Sequence, residues 1–168
     1  MKVIDLFSYK NKEFEPFKEI SLEVFKNSDS IILGHFTSSK FLEGICQHGI
    51  CPPTKTKMFS NKDNLFSDGD EKYIYLSSHF DSFFSENAVK KHGGDEILIL
   101  VKISPLDLEL DNIRNRHIDQ GLQLNNLEKI FEELQNPWAA QARTKTTIFP
   151  KNILKVIDLK TMNEIKTA

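Results

Sequence analysis

The stretch EILILVKIS, Glu96–Ser104, is apolar at almost every position and closes on Ser104-Pro105. Strict alternation would mark a strand with one wet face, whereas an unbroken Ile/Leu/Val run marks a strand covered on both. Just upstream, DSFFSENAVKKHGG (Asp81–Gly94) reads as a helix capped by Asp81 or Ser82 and stopped at Gly93, and YIYLS (Tyr73–Ser77) reads as a strand. Downstream, residues 124–135 set Leu127, Ile130, Phe131 and Leu134 at helical spacing before Pro137. TKTTIF (Thr144–Phe149) and ILKVIDL (Ile153–Leu159) then read as two strands joined by the turn Pro150-Lys151-Asn152.

Farther upstream, residues 13–27 carry Phe14, Phe17, Ile20, Val24 and Phe25 on one helical face, with Pro16 tolerated in the first turn. They make residues 1–30 a helical lead-in. SIILGHF (Ser30–Phe36) is a short buried strand. In TSSKFLEGICQHGI, Ser38 or Ser39 caps a helix whose apolar face is Phe41, Leu42, Ile45 and Cys46, with Gly49 as its stop. From Pro52 to Lys72 the chain is polar and rich in turn residues, a long loop. Helices come early and strands late without strict βαβ alternation, so the expected class is α+β, as one domain over residues 1–168.

Composition bounds the function. The 168 residues are 39% hydrophobic and 27% charged, ordinary globular usage that suits one core. No apolar run approaches the roughly 18 residues that span a bilayer, and MKVIDLFSYK lacks the apolar stretch of a secretory signal. The expectation is a cytoplasmic chain with no membrane partner. A formal charge of -2 excludes a grip on nucleic acid by the whole surface and leaves room for a local basic patch.

The familiar chemical signatures are missing: neither GxxxxGK[ST], GxGxxG, GxSxG nor HExxH occurs. Cys46 and Cys51 in CQHGIC, with His48 between them, form one pair where a zinc site needs two. They read as reduced thiols, and no metal is expected.

Three segments taken in order carry a resemblance. GHFTSSKFLEGICQHGICP (Gly34–Pro52) resembles the first motif of the ADP-ribosyltransferase superfamily: a strand ending in His, a Thr or Ser two residues later, then a helix of the form L-E-x-I-x-x-x-G-I. YIYLSSHFDSFFSENAVKKHGG (Tyr73–Gly94) resembles its Tyr-Leu-Ser strand and following helix. AAQARTKTTIFPKNILKV (Ala139–Val156) resembles its closing strand and I-P-P-E-x-I turn, here Ile148-Phe149-Pro150-Lys151-Asn152-Ile153. The likeness covers roughly Ile31 to Leu159. It is nearest to the thymidine-modifying DNA ADP-ribosyltransferase toxins, with the RNA 2′-phosphotransferases more distant.

The resemblance implies two antiparallel sheets packed face to face, with helices around an NAD cleft. NAD is then the co-substrate, and residues 52–72 form a mobile loop that covers it. His35 is the ribose hook, beside Phe36. Thr37 holds the nicotinamide end and Gly44 lets the helix approach the cofactor. Tyr75 gives a ring to nicotinamide, or simply fills the core, and Ser77 lies beside it. Losing nicotinamide makes the ribose oxocarbenium-like, so a negative charge is wanted at the anomeric carbon.

Two positions depart from the pattern. Seven residues before Ile148, where the DNA-modifying toxins carry their catalytic Glu, this chain has Gln141. A natural variant and an inactivating Glu→Gln change are both open. Four residues after Tyr75, where those toxins carry Arg, stands His79, a proton carrier near neutral pH or an ordinary helix-entry residue.

Arg143 and Lys145 are candidates for the phosphates of a nucleic-acid substrate or for a solvated face. Trp138 is a candidate to stack an unpaired base or to anchor its loop. The expected activity is mono-ADP-ribosyl transfer by a toxin acting on RNA or single-stranded DNA, with an antitoxin or immunity protein as a further partner. A protein side chain as acceptor is the alternative, and so is a catalytically silent NAD- or nucleotide-binding module.

Overall fold

The computed structural model describes residues 2–7, 20–52, 73–80, 82–110, 124–136 and 142–167. Its centre is an antiparallel pair, β2 (Ser30–Ser38) against β4 (Glu96–Ile103), in register from Ile31↔Ile103 to Ser38↔Glu96. Because side chains alternate across a strand, Ile97, Ile99, Val101 and Ile103 enter one buried cluster, while Leu98 and Leu100 enter another. The unbroken apolar run is the consequence of having protein on both faces.

Around this pair the large sheet is ordered β1-β2-β4-β6, with β1 at Val3–Asp5 and β6 at Ile153–Asp158. A register shift at Leu100/Val101 interrupts the β4–β6 ladder. β1 runs parallel to β2, so this sheet is mixed and not wholly antiparallel. The helical lead-in expected over residues 1–30 accordingly gives way at its start to a strand. The expected helix over 13–27 is also shorter among the described residues. It runs only from Leu22 to Lys26 (α1), because the Ser21 hydroxyl accepts from Val24 N at 3.2 Å and starts the helix there. Residues 8–19 lie outside the described set.

A small antiparallel sheet pairs β3 (Ile74–Leu76) with β5 (Ala142–Thr144), through Tyr75↔Arg143 at its centre. Glu109 adds a third rung: Glu109 N donates to Arg143 O at 2.8 Å, and Arg143 N donates to Glu109 O at 2.9 Å. This corrects the expected hairpin of TKTTIF with ILKVIDL. The ladder ends at Thr144, and the next stretch instead bridges Ile148 to Ile50 before a short 3-10 turn at Pro150–Asn152 leads into β6. One core joins the sheets, since Ile74, Leu76 and Ala142 pack in the same cluster as Ile31, Leu33, Ile99 and Val101. α1, α2 (Leu42–His48) and α4 (Leu127–Glu133) supply Phe25, Ile45, Ile130 and Phe131 to it. α3 (Phe83–His92) lies against the other face of the large sheet, where Phe84 meets the cluster of Phe7, Phe36, Leu98, Leu100 and Ile157. No helix among the described residues is long and apolar enough to cross a membrane.

Gly49 ends α2 with φ +83, and a Cβ there would collide with the Ile148 carbonyl oxygen. Both the left-handed backbone and the closeness of the Ile50–Ile148 bridge exclude a side chain. Gly49→Ala is expected to destabilise the fold by at least about 2 kcal/mol in urea titration, since a strained backbone conformation alone costs on the order of 1–3 kcal/mol. A change under about 0.5 kcal/mol would show that the bridge yields freely.

Candidate functional site

The site begins with Gly34. Its N–H donates to Ser77 O at 2.8 Å and its carbonyl accepts from Ser77 N at 3.0 Å, so the end of β3 is stitched to the edge of β2. A Cβ on Gly34 would lie 2.5 Å from the Phe7 ring and 2.8 Å from Leu98 Cδ1. Only glycine lets Phe7 close over this strand while the backbone pairs on both edges.

The stitch brings His35 to Tyr75. His35 Nδ1 stands 3.1 Å from the Tyr75 carbonyl, across forty positions of sequence. A carbonyl only accepts, so Nδ1 carries the proton and Nε2 is left as an acceptor in the neutral ring. Burial pushes the imidazole below its usual 6.5, against the smaller opposing pull of the Tyr75 carbonyl. His35 is therefore a neutral, oriented acceptor at physiological pH. Among the described residues Nε2 takes no hydrogen-bond partner.

Neighbouring positions divide by strand period. Thr37, buried, is two residues along the same face as His35, whereas Phe36 turns to the opposite face and packs at 6.1 Å from Phe7 and 5.8 Å from Phe80. Phe36 thus has only its backbone to offer a ligand on the His35 side. Gly44, on α2, is half-buried, and a Cβ there would meet nothing within 4 Å among the described residues.

The Tyr75 ring is stacked on Phe84 from α3, at 5.4 Å and 10° between planes. Ser77 and His79 are both buried and form a small loop: the Ser77 hydroxyl stands 3.3 Å from His79 Nδ1 and 3.0 Å from His79 O, and accepts from His79 N at 3.2 Å. His79 is therefore no exposed helix-entry residue.

Arg143 sits inside the fold, not at a phosphate-facing surface. It is 1% exposed, with its guanidinium 3.7 Å over the Tyr73 ring centre and Nη2 at 3.9 Å from Glu109 Oε1. Tyr73 OH donates to the same Glu109 oxygen at 3.2 Å. The other Glu109 oxygen faces Lys145 Nζ at 3.9 Å, and that side chain is 73% exposed. Lys145 is the accessible cation of this pair. Tyr75, Arg143 and Glu109 form one row across the small sheet, which sequence reading missed because Glu109 joins it through a single bridge. The candidate residues Gln141 and Trp138 lie outside the described residues, as does all of the expected 52–72 covering loop beyond Pro52. Ala142, which follows Gln141, pairs with Leu76, one residue from Tyr75.

Cys46 and Cys51 are free thiols, and no group of three metal-ligating side chains occurs among the described residues. No protein-family model matches the chain, and no curated protein matches it.

Because the folded pKa of His35 is lowered, the unfolded chain takes up a proton that the native site refuses. The stability contribution is intact above about 6.5 and is lost as pH falls from there through the folded value. Urea unfolding at pH 7.5 and pH 5 should show a larger acid loss for the wild type than for His35→Asn, whose amide keeps a donor for the Tyr75 carbonyl. Equal losses would mean that the ring is not held neutral.

Proposed function

We propose that the chain is an NAD-dependent mono-ADP-ribosyltransferase domain of the toxin type, acting on nucleic acid. The observation that carries this reading is the His35–Tyr75 hydrogen bond, which unites the two residues that the resemblance assigns to one NAD site. In this reading, Nε2 of His35 accepts a hydrogen bond from a ribose hydroxyl and so orients the sugar. The Tyr75 ring, held by its stacking on Phe84, is the ring this reading assigns to the nicotinamide end. The space beside Gly44 lets α2 approach the cofactor. A glycine inside a helix costs about 1 kcal/mol against alanine, and no packing contact among the described residues calls for it.

The bond broken is the one from the ribose anomeric carbon to the nicotinamide nitrogen, and the acceptor's nucleophile takes its place. Ser77 and His79, one turn of chain beyond Tyr75, are the groups for handling the acceptor's proton. Lys145, exposed, is the contact for a phosphate. A carboxylate beside the anomeric carbon would complete the set, but position 141 holds a neutral amide, and Glu109 is engaged by Tyr73, Arg143 and Lys145. Gln141 favours a second reading, a catalytically silent NAD-binding module. A protein side chain is the alternative acceptor, and a neutralising protein is the partner that a toxin of this type implies.

Two substitutions separate these readings. Gly44→Ala is expected to raise stability by up to about 1 kcal/mol through helix propensity and to weaken NAD binding at least about tenfold. Gly44→Ala protein that gains stability and still binds NAD equally well would leave the open space without a role. Gln141→Glu is expected to raise nicotinamide release from NAD on the order of 100-fold, the usual size of one preorganised electrostatic contact. NAD binding without any gain in release would select the silent module, and no NAD binding in either form would sink the whole reading.

A further inference from the structure

We propose that the turn Phe149–Leu154 is a docking site for an acidic, extended segment of a partner protein, with Phe149 and Leu154 as apolar anchors and Lys151 between them as the charge contact. The proposal rests on the toxin reading above only for the partner's role, that of the neutralising protein.

Single exposed apolar side chains are ordinary, whereas a close pair marks a contact surface. Phe149 is 55% exposed and Leu154 44%, and neither belongs to either buried cluster. Both exposures have a backbone cause. Asn152 N donates to the Phe149 carbonyl at 2.9 Å, which folds Pro150–Asn152 into a single 3-10 turn. The backbone of Phe149 is pressed on the end of α2, where a Cβ on Gly49 would stand 2.9 Å from Phe149 Cα. Leu154 is the surplus residue of the β4–β6 register shift. Ile153 pairs with Val101 and Lys155 with Leu100, so Leu154 has no residue opposite it. A turn followed by two extended residues roots the two side chains no more than about 14 Å apart. An extended segment covers that distance in about four residues.

The charge around this pair has one sign. From 142 to 157 the chain carries Arg143, Lys145, Lys151 and Lys155 and no Asp or Glu, in a protein whose formal charge is -2. Lys151, exposed between the two anchors, takes no ion pair among the described residues. The neighbouring end of α2 adds His48, while the carboxylate of that helix, Glu43, stands in its first turn. Against the I-P-P-E-x-I form, this chain carries Phe149 in place of Pro and Lys151 in place of Glu, a ring and a reversed charge at two exposed positions. An apolar centre beside a charged rim is the make-up of a protein interface, and complementarity calls for an acidic partner. Leu154 has nothing with which to stack on a base, which tells against a nucleic acid. Two side chains bury too little apolar surface to hold a bilayer.

The test is a display selection of short random peptides on the folded 168-residue chain, followed by fluorescence anisotropy with the enriched peptides as labelled probes. The expected peptides carry Asp or Glu around two apolar residues about two to four positions apart. Phe149→Ser and Leu154→Ser are each expected to weaken their binding by at least about tenfold. Lys151→Glu should weaken binding and flatten its salt dependence. All three side chains are exposed, so the variants should keep the wild-type melting temperature. Selection without enrichment, enriched peptides free of acid, or affinity indifferent to these substitutions would overturn the proposal. So would a Phe149→Ser effect confined to self-association in sedimentation, or Lys151-dependent binding of oligo-dT or phosphatidylserine vesicles in place of the peptides. The thermal shift with NAD, measured in parallel, separates the two claims. An unchanged shift in Phe149→Ser shows an intact fold and cofactor site, whereas no shift in any form rejects the transferase reading while the peptide result still decides this surface.

Discussion

The mutual backbone exchange between Gly34 and Ser77 joins the two sheets, beside the His35–Tyr75 hydrogen bond and a shared core. β1 covers the edge of β2 at residues 30–32, and beyond it the edge would be bare. Ser77 takes up the next rung at Gly34, and the end of β3 is fixed there. Unpaired backbone groups at this depth would be costly, so the rung satisfies a general demand of burial. It does so at a position where any side chain would collide with Phe7 and Leu98. From that rung follow the approach of Tyr75 to His35 and the common core beneath both sheets. The small row of Tyr75, Arg143 and Glu109 also depends on it.

The same constraint shapes the chemistry. A histidine drawn into the fold and tied through Nδ1 to a carbonyl is neutral and has one direction left in which to accept. That is a poor proton reservoir and a good orienting group. The buried Ser77–His79 loop next to it contributes rigidity, since the serine hydroxyl serves both ends of the same histidine's backbone. Arg143 is likewise committed, spread between the Tyr73 ring and Glu109, and its charge steadies the small sheet in place of meeting solvent. The accessible cation of the small sheet is Lys145.

Much of this was legible in the sequence where one segment decides its own fate. Glu96–Ile103 has no polar side to expose, so its double burial can be read directly. The stop after α2 is written in Gly49. What was illegible depends on a distant partner. Val3–Asp5 is too short to show a period, and it becomes a strand because Ser30–Ile32 lies beside it. Thr144–Phe149 is rich in β-branched residues, yet its ladder ends at Thr144 because the partner strand β3 ends as well. For the site, His35 and Tyr75 were named from motif resemblance, and their contact follows from the fold. The burial of Arg143 could not be read, since a lysine- and arginine-bearing strand looks solvated until Tyr73 and Glu109 close over it.

His35 holds its Nδ1 proton on the Tyr75 carbonyl, and the proposed function gives its Nε2 to a ribose hydroxyl of NAD. Nitrogen-15 NMR of the histidine side chains at neutral pH, with and without NAD, tests it most directly. The account predicts an Nδ1-protonated, Nε2-bare ring for His35 in the free protein and a shift of the Nε2 resonance on saturation with NAD. A charged ring, the opposite tautomer, or an Nε2 signal indifferent to NAD would contradict it.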